Sequence, residues 1–482
     1  MPETNGNIAL RVELLQLINR EQAWEYKIIP KNSSEKEMTF YVDENADNIK
    51  VQKKLELSFG KSIRLEKTST SVIQKALGKY YRKGEQERKR SKEQLDISFE
   101  SDDFLTNLIT EAKHLDSSDI HVESYKDRCR VRIRIDGVLT ERYTIKQKDY
   151  AGFVNKIKVD AELNVSERRL PQDGRISFNK GGEEFDIRVS VTPNQHGEKV
   201  VMRLLNTGEE FLNIDKLGFT EQALKDYMAG VKKPHGIILI SGPTGSGKSR
   251  TLYATMKLIN SEDVNIQTIE DPVEITLSGI NQAQVKDEIG YTFSSALRTF
   301  LRQDPDILMV GEIRDKETAA LAIQASLTGH LVLSTLHTNS AWGIISRLKD
   351  LGVEPFLIGD TLNTAVAQRL VRLLCEHCKV SEKFNTSLLP ENFHPAIQVK
   401  EHYTAHPEGC EHCDYRSYKG RKGIFEVIPI DTVLRKKIKA GDLDVSERLK
   451  EMDIKSLADN AFELFASGET SLDQIYSILS DV

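Results

Sequence analysis

The chain has 482 residues, 39% of them hydrophobic and 29% charged, with a formal net charge of −6. That length exceeds one ordinary core and calls for about two to four globular domains, while the acidic balance offers no general attraction to nucleic acid. The opening MPETNGNIAL lacks the basic and apolar regions of a signal peptide, and no run approaches the ~18 apolar residues of a spanning helix, which points to a cytoplasmic protein that meets a membrane only through partners.

Residues 1–82 read as a small α/β domain suited to docking a partner, with a strand over Met38–Asn45 and a helix over Ser71–Tyr81. The run 83–101 is dense in charge and nearly empty of large apolar residues; it reads as a linker, a solvated helix being the alternative. A second α/β domain follows over 102–210, with a helix at Phe104–Leu115 and strands at Arg130–Ile135 and Phe185–Thr192. Alternation puts Arg130, Arg132 and Arg134 on one face of their strand, the pattern of a solvated face. Cys129, alone at that strand's start, reads as core.

From 211 to 482 strands and helices alternate as a parallel sheet requires. Strands are expected at Gly236–Ser241, Asn265–Ile269, Ile307–Val310 and Leu331–Thr335. Helices are expected at Lys248–Ile259, Phe293–Arg302, Lys316–Leu327 and Trp342–Leu351. The tail after residue 425 has an amphipathic, helical pattern.

The first apolar strand leads into Gly242, Pro243, Thr244, Gly245, Ser246, Gly247, Lys248 and Ser249, a GxxxxGK[ST] phosphate-binding loop. Between a strand and a helix, such a loop turns backbone N–H groups toward phosphate oxygens, aided by the positive end of the helix dipole. Lys248 would neutralise the outer phosphates of ATP and Ser249 would place its hydroxyl on Mg²⁺. Hydrolysis also needs carboxylates. The strand Ile307–Val310 ends in Gly311-Glu312, with glycine where a Walker B aspartate usually stands, so Glu312 is the candidate to activate water or organise Mg²⁺. Glu270 opens a second acidic cluster, Glu270–Glu274, at another strand end, a loop or cap carboxylate being its plainer reading. His337 follows the strand Leu331–Thr335 and could sense the γ-phosphate, with a packed histidine as the alternative; His330 is the weaker candidate.

Cys375, Cys378, Cys410 and Cys413 form two Cys-x-x-Cys pairs, the spacing of a closed, structural Cys₄ zinc site on a small lobe. His377 and His412 lie inside those pairs and rank behind the thiolates as ligands.

The strings SGPTGSGKS, TIEDPVE, LRTFLRQDPDILMVGEIRD and GHLVLSTLHTNSA, in this order, resemble the type II secretion and type IV pilus assembly ATPase family. Upstream, Ser118–Glu123, Arg132–Gly137, Arg168–Ile176 and Asp186–Leu205 resemble its second N-terminal domain, so the likeness spans about 102–480. The resemblance implies a RecA-like P-loop NTPase domain with an inserted zinc lobe at about 372–420, preceded by a PAS-like α/β domain and a small N-terminal one. It implies a homo-hexamer with ATP between subunits, driving pilin or pseudopilin assembly through an inner-membrane platform protein and an adaptor. By motif match Arg175 and Arg188 would reach the site from the N-terminal side, and Arg298 and Arg302 from the RecA-like domain. The tetracysteine lobe sets the chain apart from the retraction or DNA-uptake motors that share the core. A nucleic-acid motor and a non-hydrolysing ATP-binding scaffold are the rivals of other classes, and neither the charge balance nor the intact Lys248, Ser249, Glu270 and Glu312 favours them.

Overall fold

The structure is a computed structural model that describes residues 14, 17–18, 20–34, 36–46, 48–81, 102–180, 183–204 and 212–481. The expected linker up to residue 101 lies outside the described residues. Those described fall into two compact units, one within 1–95, 373–419 and 462–482, the other within 96–372 and 420–461.

In the first unit α1 (Arg20–Tyr26), β1 (Ile28–Ser33), β2 (Glu37–Asp43), α2 (Asn48–Phe59), β3 (Ser62–Thr68) and α3 (Thr70–Tyr80) build the N-terminal α/β domain. Strand β2 is central, antiparallel to β1 and parallel to β3. Its alternation buries Met38, Phe40 and Val42, while Ile73, Ala76 and Leu77 give α3 an inward stripe at helical spacing.

The second unit begins with α4 (Asp102–His114), β4 (Ser117–Ser124), β5 (Cys129–Ile135), β6 (Val138–Ile145), α5 (Gln147–Asp160), β7 (Gln172–Lys180), β8 (Glu183–Asn194) and β9 (Gly197–Leu204). The strands form an antiparallel sheet in the order β6-β5-β4-β9-β8-β7. One face buries Ile120, Val131, Ile133 and Val189 against Leu108, Phe153 and Ile157, and Cys129 is fully buried among them. The arginine stripe is not simply solvated. Arg130 and Arg132 converge on Glu123 at 3.1 and 2.7 Å, and Arg134 lies 3.4 Å from Asp119. Neighbouring strands supply acids opposite the arginines, which sequence alternation cannot reveal. Burial pushes the Glu123 carboxyl up, but the hydrogen bonds from Arg132 and Arg130 prevail and hold it at about 2.

The same unit continues with α6 (Glu221–Val231), β10 (Gly236–Ser241), α7 (Lys248–Ile259), β11 (Ile266–Glu270), β12 (Asn281–Gln284), α8 (Phe293–Phe300), β13 (Ile307–Val310), α9 (Lys316–Leu327), β14 (Leu331–Leu336), α10 (Gly343–Asp350), α11 (Pro355–Thr361) and β15 (Leu362–Leu374). The cysteine lobe, with the antiparallel pair β16 (Val380–Lys383) and β17 (Glu401–Thr404), belongs to the first unit; the second resumes with β18 (Tyr418–Pro429), α12 (Thr432–Ala440), α13 (Ser446–Glu451) and the start of α14 (Leu457–Ala466), and α15 (Leu472–Ser480) falls in the first. The large sheet runs β12-β11-β13-β14-β10-β15-β18. Strands β10, β11, β13 and β14 share one direction, so Ser241, Glu270, Val310 and Leu336 end on one edge. All residues of these strands are buried, the apolar runs of β10 and β13 and the polar Gln267, Thr268, Glu270, Ser334 and Thr335 of β11 and β14 alike.

The expected helices and strands of this domain are present, with ends displaced by a residue or two. Three features differ. Strand β12 is polar and has no alternation to announce it, its pairing coming from β11. Strand β15 carries apolar residues at spacings that also suit a helix, and becomes a strand by pairing with β10. The tail is still extended through Pro429, so the helical segment begins only at Thr432.

Candidate active site

Strand β10 delivers the chain into the phosphate loop, whose backbone demands its glycines. Gly242, Gly245 and Gly247 have φ of 147°, 80° and 89°. A Cβ on Gly242 would come within 2.4 Å of the Gln368 carbonyl oxygen, and one on Gly247 within 2.8 Å of Gln368 Nε2. Lys248 opens α7 and donates to the carbonyls of Gly242 at 2.8 Å and Pro243 at 3.1 Å, which places its ammonium inside the curve of the loop. Burial lowers its proton affinity; the Glu312 carboxylate works against that and the Arg369 guanidinium adds to it. Ser246 Oγ is buried and meets no protein hydrogen-bond partner among the described residues, and Ser249 is exposed on the first turn. An orphaned hydroxyl, a buried cation and a helix N-terminus together fit a polyphosphate and its Mg²⁺.

Glu312 stands just past β13. A side chain on Gly311 would crowd Ile269 O at 3.3 Å and the Glu270 backbone at 3.4 Å, which accounts for glycine at the Walker B aspartate position. The Glu312 carboxylate pairs with Arg314, and His337 Nε2 lies 3.5 Å from its other oxygen. Arg314 also lies 3.5 Å from Asp271, so it spans the two acidic clusters. Lys248, Glu312 and His337 are thus brought together, and His337 addresses a carboxylate.

Glu270 is placed differently. It ends β11, but its carboxylate turns inward, 4% exposed, accepting from Tyr253 Oη, from Thr268 Oγ1 at 2.6 Å and from Gln282 Nε2 at 3.2 Å. Burial raises its pKa, opposed by those hydrogen bonds. Arg188, on β8, donates to the carbonyl of Val273 and lies 3.7 Å from Glu274, reaching the acidic turn from the N-terminal side. Arg175, its register partner on β7, pairs instead with Asp186. Arg298 on α8 pairs with Glu317, and Arg302 donates to the Arg298 carbonyl at 2.8 Å; both stand on the surface. Arg314, Tyr253, Gln368 and Arg369 carried no role in the sequence reading. Arg314 lies within the Gly311–Asp315 string, and Gln368-Arg369 interrupts an apolar strand, the one local sign that either pair has work beyond packing.

The four cysteines meet in the lobe, with Sγ atoms all within 4.8 Å of one another. Cys375 and Cys410 are 3.7 Å apart, Cys410 and Cys413 3.8 Å, Cys378 and Cys413 3.9 Å. Sulfurs at the corners of a tetrahedron about 2.3 Å from a zinc ion stand about 3.8 Å apart, so the set fits zinc. The amides of Cys410 and Ser417 donate to Cys413 Sγ at 3.3 and 3.2 Å, as suits a thiolate. His377 and His412 stack on each other at 3.9 Å between centroids and are exposed.

Comparison with known proteins agrees with this geometry. The family described as Type II/IV secretion system protein matches residues 97–477. The type II secretion system ATPase E of Vibrio cholerae is 43% identical over 78% of this chain and 74% of its own length. The type IV pilus assembly ATPase PilB of Myxococcus xanthus is 45% identical over 77% of this chain and 66% of its own. The DotB ATPase of Legionella pneumophila has the same fold, with a TM-score of 0.58 at 20% identity over 79% of this chain and 96% of that one. Among the described residues no helix is long and apolar enough to cross a membrane. Family match, high identity over most of the chain and a furnished phosphate loop lead to one statement: the chain belongs to the type II/IV secretion system protein family and is an ATPase.

Proposed function

We propose that this ATPase powers assembly of pilin-like subunits, either a type II secretion pseudopilus or a type IV pilus, as a cytoplasmic homo-hexamer peripheral to the inner membrane. It would act on an inner-membrane platform protein with an adaptor, the small N-terminal domain (1–82) docking the partner. The observation that carries this reading is the convergence of Lys248, Glu312 and His337 on the phosphate loop of a chain at least 43% identical to both an ATPase of type II secretion and one of type IV pilus assembly.

In this reading the loop amides and Lys248 hold the ATP phosphates, Ser249 and Glu312 hold Mg²⁺, and Glu312 or Glu270 accepts the proton of the attacking water. Mg²⁺ supplies charge neutralisation at the phosphates. Arg188 ties the second N-terminal domain (102–210) to the acidic turn of the ATPase domain (211–482), so a change at the nucleotide is passed on as a change between domains. Arg175, Arg298 and Arg302 take up their role when a neighbouring subunit completes the site. Cys375, Cys378, Cys410 and Cys413 hold a structural zinc ion that fixes the lobe.

The test is phosphate release by the purified chain beside Glu312→Gln. Wild type should turn over ATP, and the variant should keep nucleotide binding while losing about 10²-fold or more in kcat. A wild-type chain that binds ATP without turnover under assembly conditions would overturn the reading in favour of a scaffold.

A further inference from the structure

Strand β15 sets Gln368 and Arg369 against the two ends of the phosphate loop. At the near end, a methyl group on Gly242 would stand 3.2 Å from Arg369 Nη1. At the far end Thr251 Oγ1, on α7, donates to Gln368 Oε1 at 2.9 Å, and Gln368 is buried. The other edge of the Arg369 guanidinium turns away from the loop: Nη2 donates to the carbonyl of Asn339 at 2.8 Å, two residues beyond His337. The segment that carries His337 is held at further points. Ser241 Oγ, the last side chain before the phosphate loop, donates to Ser340 O at 3.3 Å. Thr338 Oγ1 donates to the same carbonyl at 2.9 Å.

We propose that Arg369 is a positioning residue that links the phosphate loop to the His337 segment, so that nucleotide on the loop is registered at Asn339. The physical basis is the shape of the group. A guanidinium is planar and always charged, with donors on fixed edges. One edge faces Gly242 and the other holds Asn339, so a phosphate oxygen at Gly242 bears on the Asn339 contact through a rigid plate. Lys248 and Arg369 are like charges at the same end of the loop, and a polyphosphate relieves their repulsion.

This rests on the loop binding ATP, and the experiment separates the two claims. Amide hydrogen exchange of the full chain is followed with and without Mg²⁺ and a non-hydrolysable ATP analogue. Wild type should show nucleotide-dependent protection at 242–249 and 337–342. In Arg369→Gln the protection at 242–249 should remain, that at 337–342 should be lost, and kcat should fall about 10-fold with KM changed less than about 3-fold. Arg369→Lys, which keeps the charge without the second donor edge, should restore 337–342 in part, and it decides the matter if Arg369→Gln does not fold, its protection at 337–342 falling below wild type. Full protection at 337–342 in the folded variants overturns the link while leaving the ATPase reading intact. A wild-type chain with no protection at 242–249 overturns nucleotide binding by the loop and the link with it.

Discussion

Tyr253 donates its phenolic hydrogen to the buried carboxylate of Glu270, and the same oxygen accepts the Glu274 amide at 3.0 Å. One hydroxyl therefore fastens the helix behind the phosphate loop to the acidic turn that Arg188 reaches from the preceding domain. Burial, and then the Glu270 charge, push the phenol well above its ordinary range, so it stays a donor. Tyr253→Phe strips Glu270 of one donor and leaves the Glu274 amide without that acceptor. A loss of about 1–3 kcal/mol is expected, read as a lower denaturation midpoint, with kcat reduced more than ATP affinity. A midpoint and kcat equal to wild type would show the clamp to be incidental.

Arg188 and Arg175 are register partners on β7 and β8 but have different neighbours. Arg188 already touches the acidic turn, whereas Arg175 pairs with Asp186 in its own sheet. In the protein as purified, Arg188→Ala should lower kcat by about 10-fold or more, with a smaller effect on KM. Arg175→Ala should show its full loss only under conditions that favour the hexamer. Equal, assembly-independent losses in phosphate-release assays would contradict this distinction.

Removal of one thiolate should release the metal. Wild type is expected to carry one zinc per chain by elemental analysis, and Cys413→Ser to carry little, because Cys413 also receives two backbone N–H bonds that a serine oxygen would meet at the wrong length. The lobe should then become protease-sensitive over 375–417. A metal-free wild type with an intact, protease-resistant lobe would dismiss zinc as its organiser.

Acid should weaken the second N-terminal domain through Glu123. Its carboxyl titrates at about 2 in the fold against an ordinary 4.5, so the unfolded chain binds the extra proton between those values. The sign follows: the contribution is fully present above about pH 4.5 and is lost as pH falls toward 2, worth about 3 kcal/mol in all. Wild type should unfold more readily as pH drops through this window, and Glu123→Gln should show a shallower decline. Parallel pH profiles for the two would place the acid sensitivity elsewhere.

Much of the molecule was legible in the sequence, for a local reason. The strands β10 and β13 are apolar runs, the phosphate loop is one contiguous string, and each Cys-x-x-Cys pair spans four residues. Backbone conformation there follows from residues within a few positions of one another. Strand β15 and the arginine stripe were misread or left open because their environments come from chain-distant partners. Pairing with β10 makes Leu362–Leu374 a strand, and Glu123 and Asp119 convert an exposed-looking row of arginines into an ion-paired face.

The carboxylates draw the line most clearly. The residue pattern alone places Glu270 and Glu312 at the carboxyl ends of strands, on the edge that holds the phosphate loop, because strand polarity in a parallel sheet requires it. Which way each one turns depends on packing between distant parts of the chain. Glu270 is drawn inward by Tyr253, Thr268 and Gln282, while Glu312 stays with Arg314 and His337 beside Lys248. A buried carboxylate goes where donors offset its lost hydration, and those donors come from helix and strand positions that adjoin it only in the folded chain.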